Sequence, residues 1–328
     1  MKDLGKRILL PDEQIEDIET EKQLRPGAFD GFIGQENIVN RLKVAIEGAK
    51  MRKEQLDHIL FCAPPGVGKT TLAYIITKEL RQKMQQALGT GLKDSDAAKL
   101  FSPLISRPGI LFLDELIKPS SILTTCICKA MEEQLLICGH SSVPLKPFTL
   151  IAASTDTGSI PAPLRDRFVH ILHLNPYSID ELTRIAERSA RILDIEAEGK
   201  SAKIIAIRSR GTPRIANRLL KICRNYTTSL SPVAAEKIMK EIGIDKYGLD
   251  QWDRSYLQLL VYKFNGGPVG LTTLSGAMQE SDRTIETVLE PYILSRGLVL
   301  KTGKGRVVTE SGMALMNQSR NRKGYFLA

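Results

Sequence analysis

The sequence predicts an α/β core built on a parallel sheet, followed by an all-helical domain and a C-terminal winged helix. Three observations carry this reading. Short apolar strands alternate with helical stretches as far as Pro176; the pattern is then helical to about Ile244; and from Asp250 helices are followed by a basic hairpin. A chain of 328 residues exceeds one ordinary core. The expected division is a loosely ordered leader (1–20), the α/β core (21–176), a helical domain (177–247), the winged helix (248–317) and a basic tail (318–328).

Taken in order, residues 38–51 (IVNRLKVAIEGAKM) place Val39, Leu42, Ile46 and Ala49 on one helical stripe. Residues 58–63 (HILFCA) form a short buried strand, and 69–80 (KTTLAYIITKEL) a helix. A second buried strand, 109–115 (GILFLDE), ends in two carboxylates; 148–155 (FTLIAAST) is a third. In the helical domain, 178–193 opens with Ser178 and Glu181 at capping-box spacing. Near the C-terminus a helix at 253–264 and an NGGPVG turn precede two β-rich runs around a Gly/Lys turn, 297–310 (GLVLKTGKGRVVTE).

Composition narrows the function classes. No apolar run spans a bilayer and the N-terminus lacks a signal-peptide core, so no membrane association is expected and the cytoplasm is the expected location. The five cysteines form no C-x-x-C pair and read as buried thiols, and the four histidines make no metal constellation. Net charge is +9, and six basic residues (Lys301, Lys304, Arg306, Arg320, Arg322, Lys323) face one acid, Glu310, after position 300. A polyanion surface and a solvated tail both fit that bias.

The sharpest motif is APPGVGKT at 63–70, a phosphate-binding loop with Ala63 in place of its first glycine. It sits between a strand and a helix, the context such a loop needs. The N–H groups of Gly66 to Thr70 would face phosphates at the positive end of the helix, with Pro65, Val67 and Thr71 completing the loop. Lys69 would reach the β- and γ-phosphates and the Thr70 hydroxyl would ligate Mg²⁺. Ala63 lies where the chain leaves the strand and a Cβ is tolerable; Gly66 and Gly68, at the close phosphate approach, are kept. Parallel strands deliver their C-terminal ends to one edge, so Asp114 and Glu115 come near Lys69. Asp114 would hold Mg²⁺ through its water shell and Glu115 would activate the attacking water.

On 24–38 (LRPGAFDGFIGQENI), 56–73, 147–168 (PFTLIAASTDTGSIPAPLRDRF), 209–220 (SRGTPRIANRLL) and 265–309, the chain resembles the RuvB family of ring-forming AAA+ motors. That family drives Holliday-junction branch migration with RuvA. The resemblance spans nearly the whole chain. It implies an ATP- and Mg²⁺-dependent AAA+ ATPase acting as a homo-hexameric ring on duplex and four-way-junction DNA, in recombination and repair. It implies an adenine pocket of Leu24, Arg25, Pro26, Phe32 and Ile33 closed by Tyr177, and Thr155 as the sensor of the water or γ-phosphate. Arg167, with Arg165 as second choice, would be an arginine finger supplied across the subunit boundary. Arg214 would read the γ-phosphate from the helical domain. Arg306 would touch DNA from the wing, with a solvated hairpin tip as the alternative.

Three departures from the family pattern stand out. The family writes Asp-Glu-Ile-His-Arg where this chain has Asp114-Glu115-Leu116-Ile117-Lys118. Asp156 replaces an arginine after the sensor strand. The segment 131–150, which matches the RuvA-docking hairpin, is shorter and lacks the Gly-Pro-Ala-Arg-Ser tip. Its apolar residues Leu135, Ile137, Val143 and Leu145 are expected to offer a reduced docking face, so weak engagement of RuvA, or a different loader for a divergent AAA+ DNA-dependent ATPase, is the alternative. A nucleotide-gated DNA-binding protein without hydrolysis is a third reading, opposed by Glu115 and Arg167.

Overall fold

The computed structural model describes residues 8–12, 17–138 and 141–320. In its first part the strands are Ile59–Cys62 (β1), Met84–Leu88 (β2), Gly109–Asp114 (β3), Leu135–Cys138 (β4), Ser141–Pro144 (β5), Phe148–Ser154 (β6) and His170–His173 (β7). Five of them form one parallel sheet in the order β2-β3-β6-β1-β7. The inner strands β1, β3 and β6 are buried on both faces, which is why they read as unbroken apolar runs. Strand β2, with Gln85 and Gln86, is a half-exposed edge, and no apolar signal marks it in the sequence.

Side chains alternate across the sheet. Ile59, Phe61, Ile110, Phe112, Ile151 and Ala153 face one core, shared with Glu36–Arg52 (α2, after Asp17–Leu24, α1) and Lys69–Glu79 (α3). Leu60, Leu111, Leu113, Leu150 and Ala152 face the other, under Ala97–Ser106 (α4), Ser121–Glu133 (α5) and Ala162–Arg165 (α6). The first core continues without a break into the helical domain of Ile179–Ile192 (α7), Gly199–Arg208 (α8), Pro213–Arg224 (α9) and Pro232–Glu241 (α10). Ser178 and Glu181 close the capping box over α7. This domain is not purely helical, as the sequence led us to expect. Glu196–Ala197 (β8) and Ser229–Leu230 (β9) pair in parallel, too briefly to leave a periodic signal.

A third core lies under Gln251–Gln258 (α11), Leu271–Met278 (α12), Asp282–Thr284 (α13) and Glu290–Ser295 (α14). The antiparallel wing Val299–Thr302 (β10) with Gly305–Val308 (β11) and the helix Glu310–Arg320 (α15) complete it. The helical domain is tied to this one through Arg210, whose side chain is 5% exposed, pairs with Asp253, donates to the Gly248 carbonyl at 3.0 Å and stacks over Tyr292.

Two further expectations change. Leu9, inside the supposed loose leader, is buried in the first core, and α1 begins at Asp17; residues 1–7 and 13–16 lie outside the described residues, as do Arg322 and Lys323 of the tail. In the β4–β5 hairpin, whose tip residues Gly139 and His140 are also outside the described set, Leu136 stands opposite Val143. That pair and Leu145 turn into the second core, so Val143 and Leu145 are not part of an outward face. Leu135 and Ile137, half-buried, remain on the other side of the ribbon.

Candidate nucleotide site

The loop leaves β1 at Ala63, whose N–H continues the parallel ladder to the Ser154 carbonyl at 3.1 Å. Its φ is not positive, whereas Gly66 and Gly68 take φ of 76° and 110°. The Ala-for-Gly exchange therefore falls where a side chain costs nothing, and the two retained glycines fall in the left-handed region that needs them. A Cβ on Gly66 would come within 2.7 Å of the Thr212 methyl.

Lys69 starts α3 and folds back on the loop, donating to the carbonyls of Ala63 at 2.6 Å and Pro64 at 3.0 Å. Burial lowers its pKa, opposed by the carboxylates of Glu115 and Asp114. The Thr70 hydroxyl donates to Asp114 Oδ2 at 3.0 Å, so the hydroxyl and carboxylate from different elements meet. Glu115 accepts from the Thr155 hydroxyl and takes φ of 56°. Its backbone neighbours fix that turn: Gly89 N–H donates to Asp114 O, Thr90 to Glu115 O and Leu116 N–H to Ala153 O. Of the departures, Leu116 is buried, Ile117 half-buried and Asp156 exposed.

These groups open on a cavity of about 590 Å³, a size that holds a nucleotide. Of the expected residues, Leu24, Arg25, Pro26, Phe32, Ile33, Pro65, Gly66, Gly68, Lys69, Thr70, Thr71, Asp114, Glu115, Thr155, Tyr177 and Arg214 line it. Val67 does not: its side chain is buried, and its carbonyl accepts from the Tyr177 hydroxyl at 3.1 Å. Burial raises the Tyr177 phenol, keeping it a donor. Arg25 stacks on Tyr74 at 4.3 Å. The helical domain closes the cavity through Arg188, which donates to the carbonyls of Leu24 and Gly31, and through Arg214 at the start of α9.

Sequence reasoning missed Arg188, Tyr74 and Glu21, because nothing local marks them; only the fold brings α1 and α7 to the phosphate loop. Glu21 pairs with Arg214, and Arg218, one turn on, donates to the carbonyls of Ile8, Leu10 and Asp12 at 2.7, 2.8 and 2.9 Å.

Arg167 lies away from this cavity. It pairs with Glu132 at 2.8 Å and donates to the Pro163 carbonyl. Arg306 requires a correction. It is buried, not at a solvated tip, and donates to Glu290 Oε1 at 2.7 Å, Glu290 Oε2 at 3.1 Å and Glu286 at 3.1 Å. The register opposes it to Lys301 and leaves Gly303-Lys304 as the turn. The guanidinium is thus turned to core carboxylates, whereas Lys304 is exposed at the tip. Among the described side chains, Cys62, Cys126, Cys128 and Cys223 are buried thiols, as expected, while that of Cys138 lies outside the described set; burial raises Cys62 and Cys128 and pushes Cys223 up to about 12.

Three family models match the chain: the P-loop domain of the Holliday junction DNA helicase RuvB at 24–174, the RuvB AAA lid domain at 177–250 and the RuvB C-terminal winged helix domain at 246–317. Among curated proteins, the Holliday junction branch migration complex subunit RuvB of Kosmotoga olearia is 39% identical over 321 residues, 94% of this chain and 93% of the relative. That of Lacticaseibacillus casei is 41% identical over 314 residues, covering 91% and 92%. The solved structure of the Thermotoga maritima RuvB Holliday junction branch migration motor superposes with a TM-score of 0.79 at 38% identity, covering 93% of this chain and all of that one.

Proposed function

Because the chain belongs to the RuvB family, we propose that it is an ATPase that drives branch migration of Holliday junctions in recombination and DNA repair, as a hexameric ring working with RuvA. The observation that carries the catalytic half is the meeting of Lys69, the Thr70–Asp114 pair and the Glu115–Thr155 pair at one sheet edge beside the phosphate loop.

In this reading the adenine packs among Leu24, Arg25, Phe32, Ile33 and Tyr177, and the loop N–H groups hold the phosphates. Lys69 exchanges its loop carbonyls for phosphate oxygens. The Thr70 hydroxyl and the Asp114 carboxylate would hold Mg²⁺, which would supply neutralisation of the phosphate charge when bound. Thr155 holds Glu115 in place to accept the proton of the attacking water. Arg214 reads the γ-phosphate within the chain, and Arg167 reaches a neighbour's site across the ring. With DNA as its substrate, we place the protein in the cytoplasm; no helix among the described residues is long and apolar enough to cross a membrane.

A second reading, the same engine with a different loader, draws on the hairpin. With Val143 and Leu145 turned inward, Leu135 and Ile137 are what its outer face offers among the described residues. ATP turnover measured alone, with four-way-junction DNA, and with junction plus RuvA tests both. Stimulation by junction and further stimulation by RuvA is expected. Turnover indifferent to junction DNA would overturn the motor assignment, and stimulation by DNA alone would favour the other loader.

A further inference from the structure

The guanidinium of Arg214 is already engaged. Its Nε and Nη2 donate to the carboxylate of Glu21, the latter at 3.4 Å to Oε2, and its Nη1 donates to the Pro11 carbonyl at 3.0 Å. Both side chains are largely buried, Arg214 at 14% exposure and Glu21 at 18%, and both line the nucleotide cavity. The backbone of 8–12 is held from the same helix face, one turn further along α9, by the three donations of Arg218, with Leu9 anchored in the core. That segment lies against the phosphate loop: Pro11 O is 3.2 Å from where a Gly66 Cβ would stand.

From this geometry we infer that Glu21 is a specificity-determining residue: it competes with the terminal phosphate for Arg214 and so sets the preference for nucleoside triphosphate over diphosphate. The inference rests on the reading of Arg214 as the γ-phosphate contact. A triphosphate brings its terminal oxygens to a guanidinium whose donors face a carboxylate. One anion must yield, because two anions facing one cation in a partly buried site repel each other. A diphosphate is one phosphate shorter, does not reach Arg214, and leaves the pair alone. The cost of parting Glu21 from Arg214 therefore falls on the triphosphate alone. When it is met, the hold of α9 on Pro11 loosens as well, so the segment 8–12 reports which nucleotide is bound.

The test measures binding of Mg²⁺–ATPγS and Mg²⁺–ADP to the full chain and to Glu21→Gln and Arg214→Ala. Glu21→Gln keeps the shape and removes the charge; it should tighten ATPγS by about two- to fivefold, the range of a solvent-accessible ion pair, and leave ADP unchanged. Arg214→Ala should weaken ATPγS and spare ADP. If Glu21→Gln shifts both nucleotides alike, or weakens ATPγS, Glu21 is a strut and the inference is overturned while Arg214 keeps its role. If Arg214→Ala leaves the ratio of affinities untouched, the reading beneath the inference fails. Hydrogen exchange of residues 8–12 in the unaltered protein gives a readout independent of any variant's folding. Faster exchange with ATPγS than with ADP supports the competition, and equal exchange overturns it.

Discussion

At the scale of single residues, the site is held by pairs that join distant positions. Thr70 meets Asp114, Thr155 meets Glu115, and Arg214 meets Glu21. The motif identifies the first member of each of the first two pairs or its partner, since residue type and spacing carry that chemistry; Glu21 carries no such mark. In the proposed mechanism Glu115 is the base, and it is fixed by Thr155 and by a backbone turn bonded on both sides. Glu115→Gln removes the base but keeps size and hydrogen bonding, so nucleotide affinity should stay within about twofold while turnover falls by ~10² or more. Turnover at the parent rate, measured by phosphate release beside an unchanged nucleotide Kd, would remove Glu115 from the base role.

At the scale of elements, the wing shows how burial reassigns a charge. A hairpin reading of the sequence leaves every basic residue near the turn available to DNA, but two-residue alternation puts Arg306 on the inner face with Val308. There Glu290, itself buried and bonded to the Tyr256 hydroxyl, needs a cation. Arg306→Ala strands that carboxylate in the third core and should cost about 3 kcal/mol of stability, seen as a lower urea midpoint. The log–log salt dependence of DNA binding should keep its slope. A variant of parent stability whose slope is flatter by about one would return the guanidinium to the DNA surface. The same alternation explains the β4–β5 ribbon, where Leu136 and Val143 share the core side.

For the whole molecule, the decisive geometry is where the arginines lie. Arg167 is outside the cavity of its own chain and rests on Glu132, so a catalytic role requires a neighbour. In the proposed head-to-tail ring each interface would join one chain's loop to the next chain's finger. Arg167→Ala and Lys69→Ala should each be inactive alone. Mixed equally, they should recover ATP turnover at roughly a quarter of interfaces, those pairing an intact loop with an intact finger. Absence of recovery in rings shown by sizing to contain both variants would place Arg167 in a structural role within its own chain. Arg210, four positions before Arg214, ties the helical domain to the third core through Asp253 and Tyr292.

By itself the sequence determined the order of the three parts, the phosphate loop, the carboxylates that end β3 and the inner strands. Each of these is a local pattern: residue type at fixed spacing, or an apolar run whose cause is burial on both faces. Only the tertiary structure decided the edge strand β2, the inward turn of Val143, Leu145 and Arg306, and the convergence of Glu21 and Arg188 on the loop beside Arg214. These depend on which face of an element meets which neighbour. Glu21 and Arg214 are 193 positions apart, and no periodicity along the chain encodes a contact that exists only once α1 and α9 have packed on the same core.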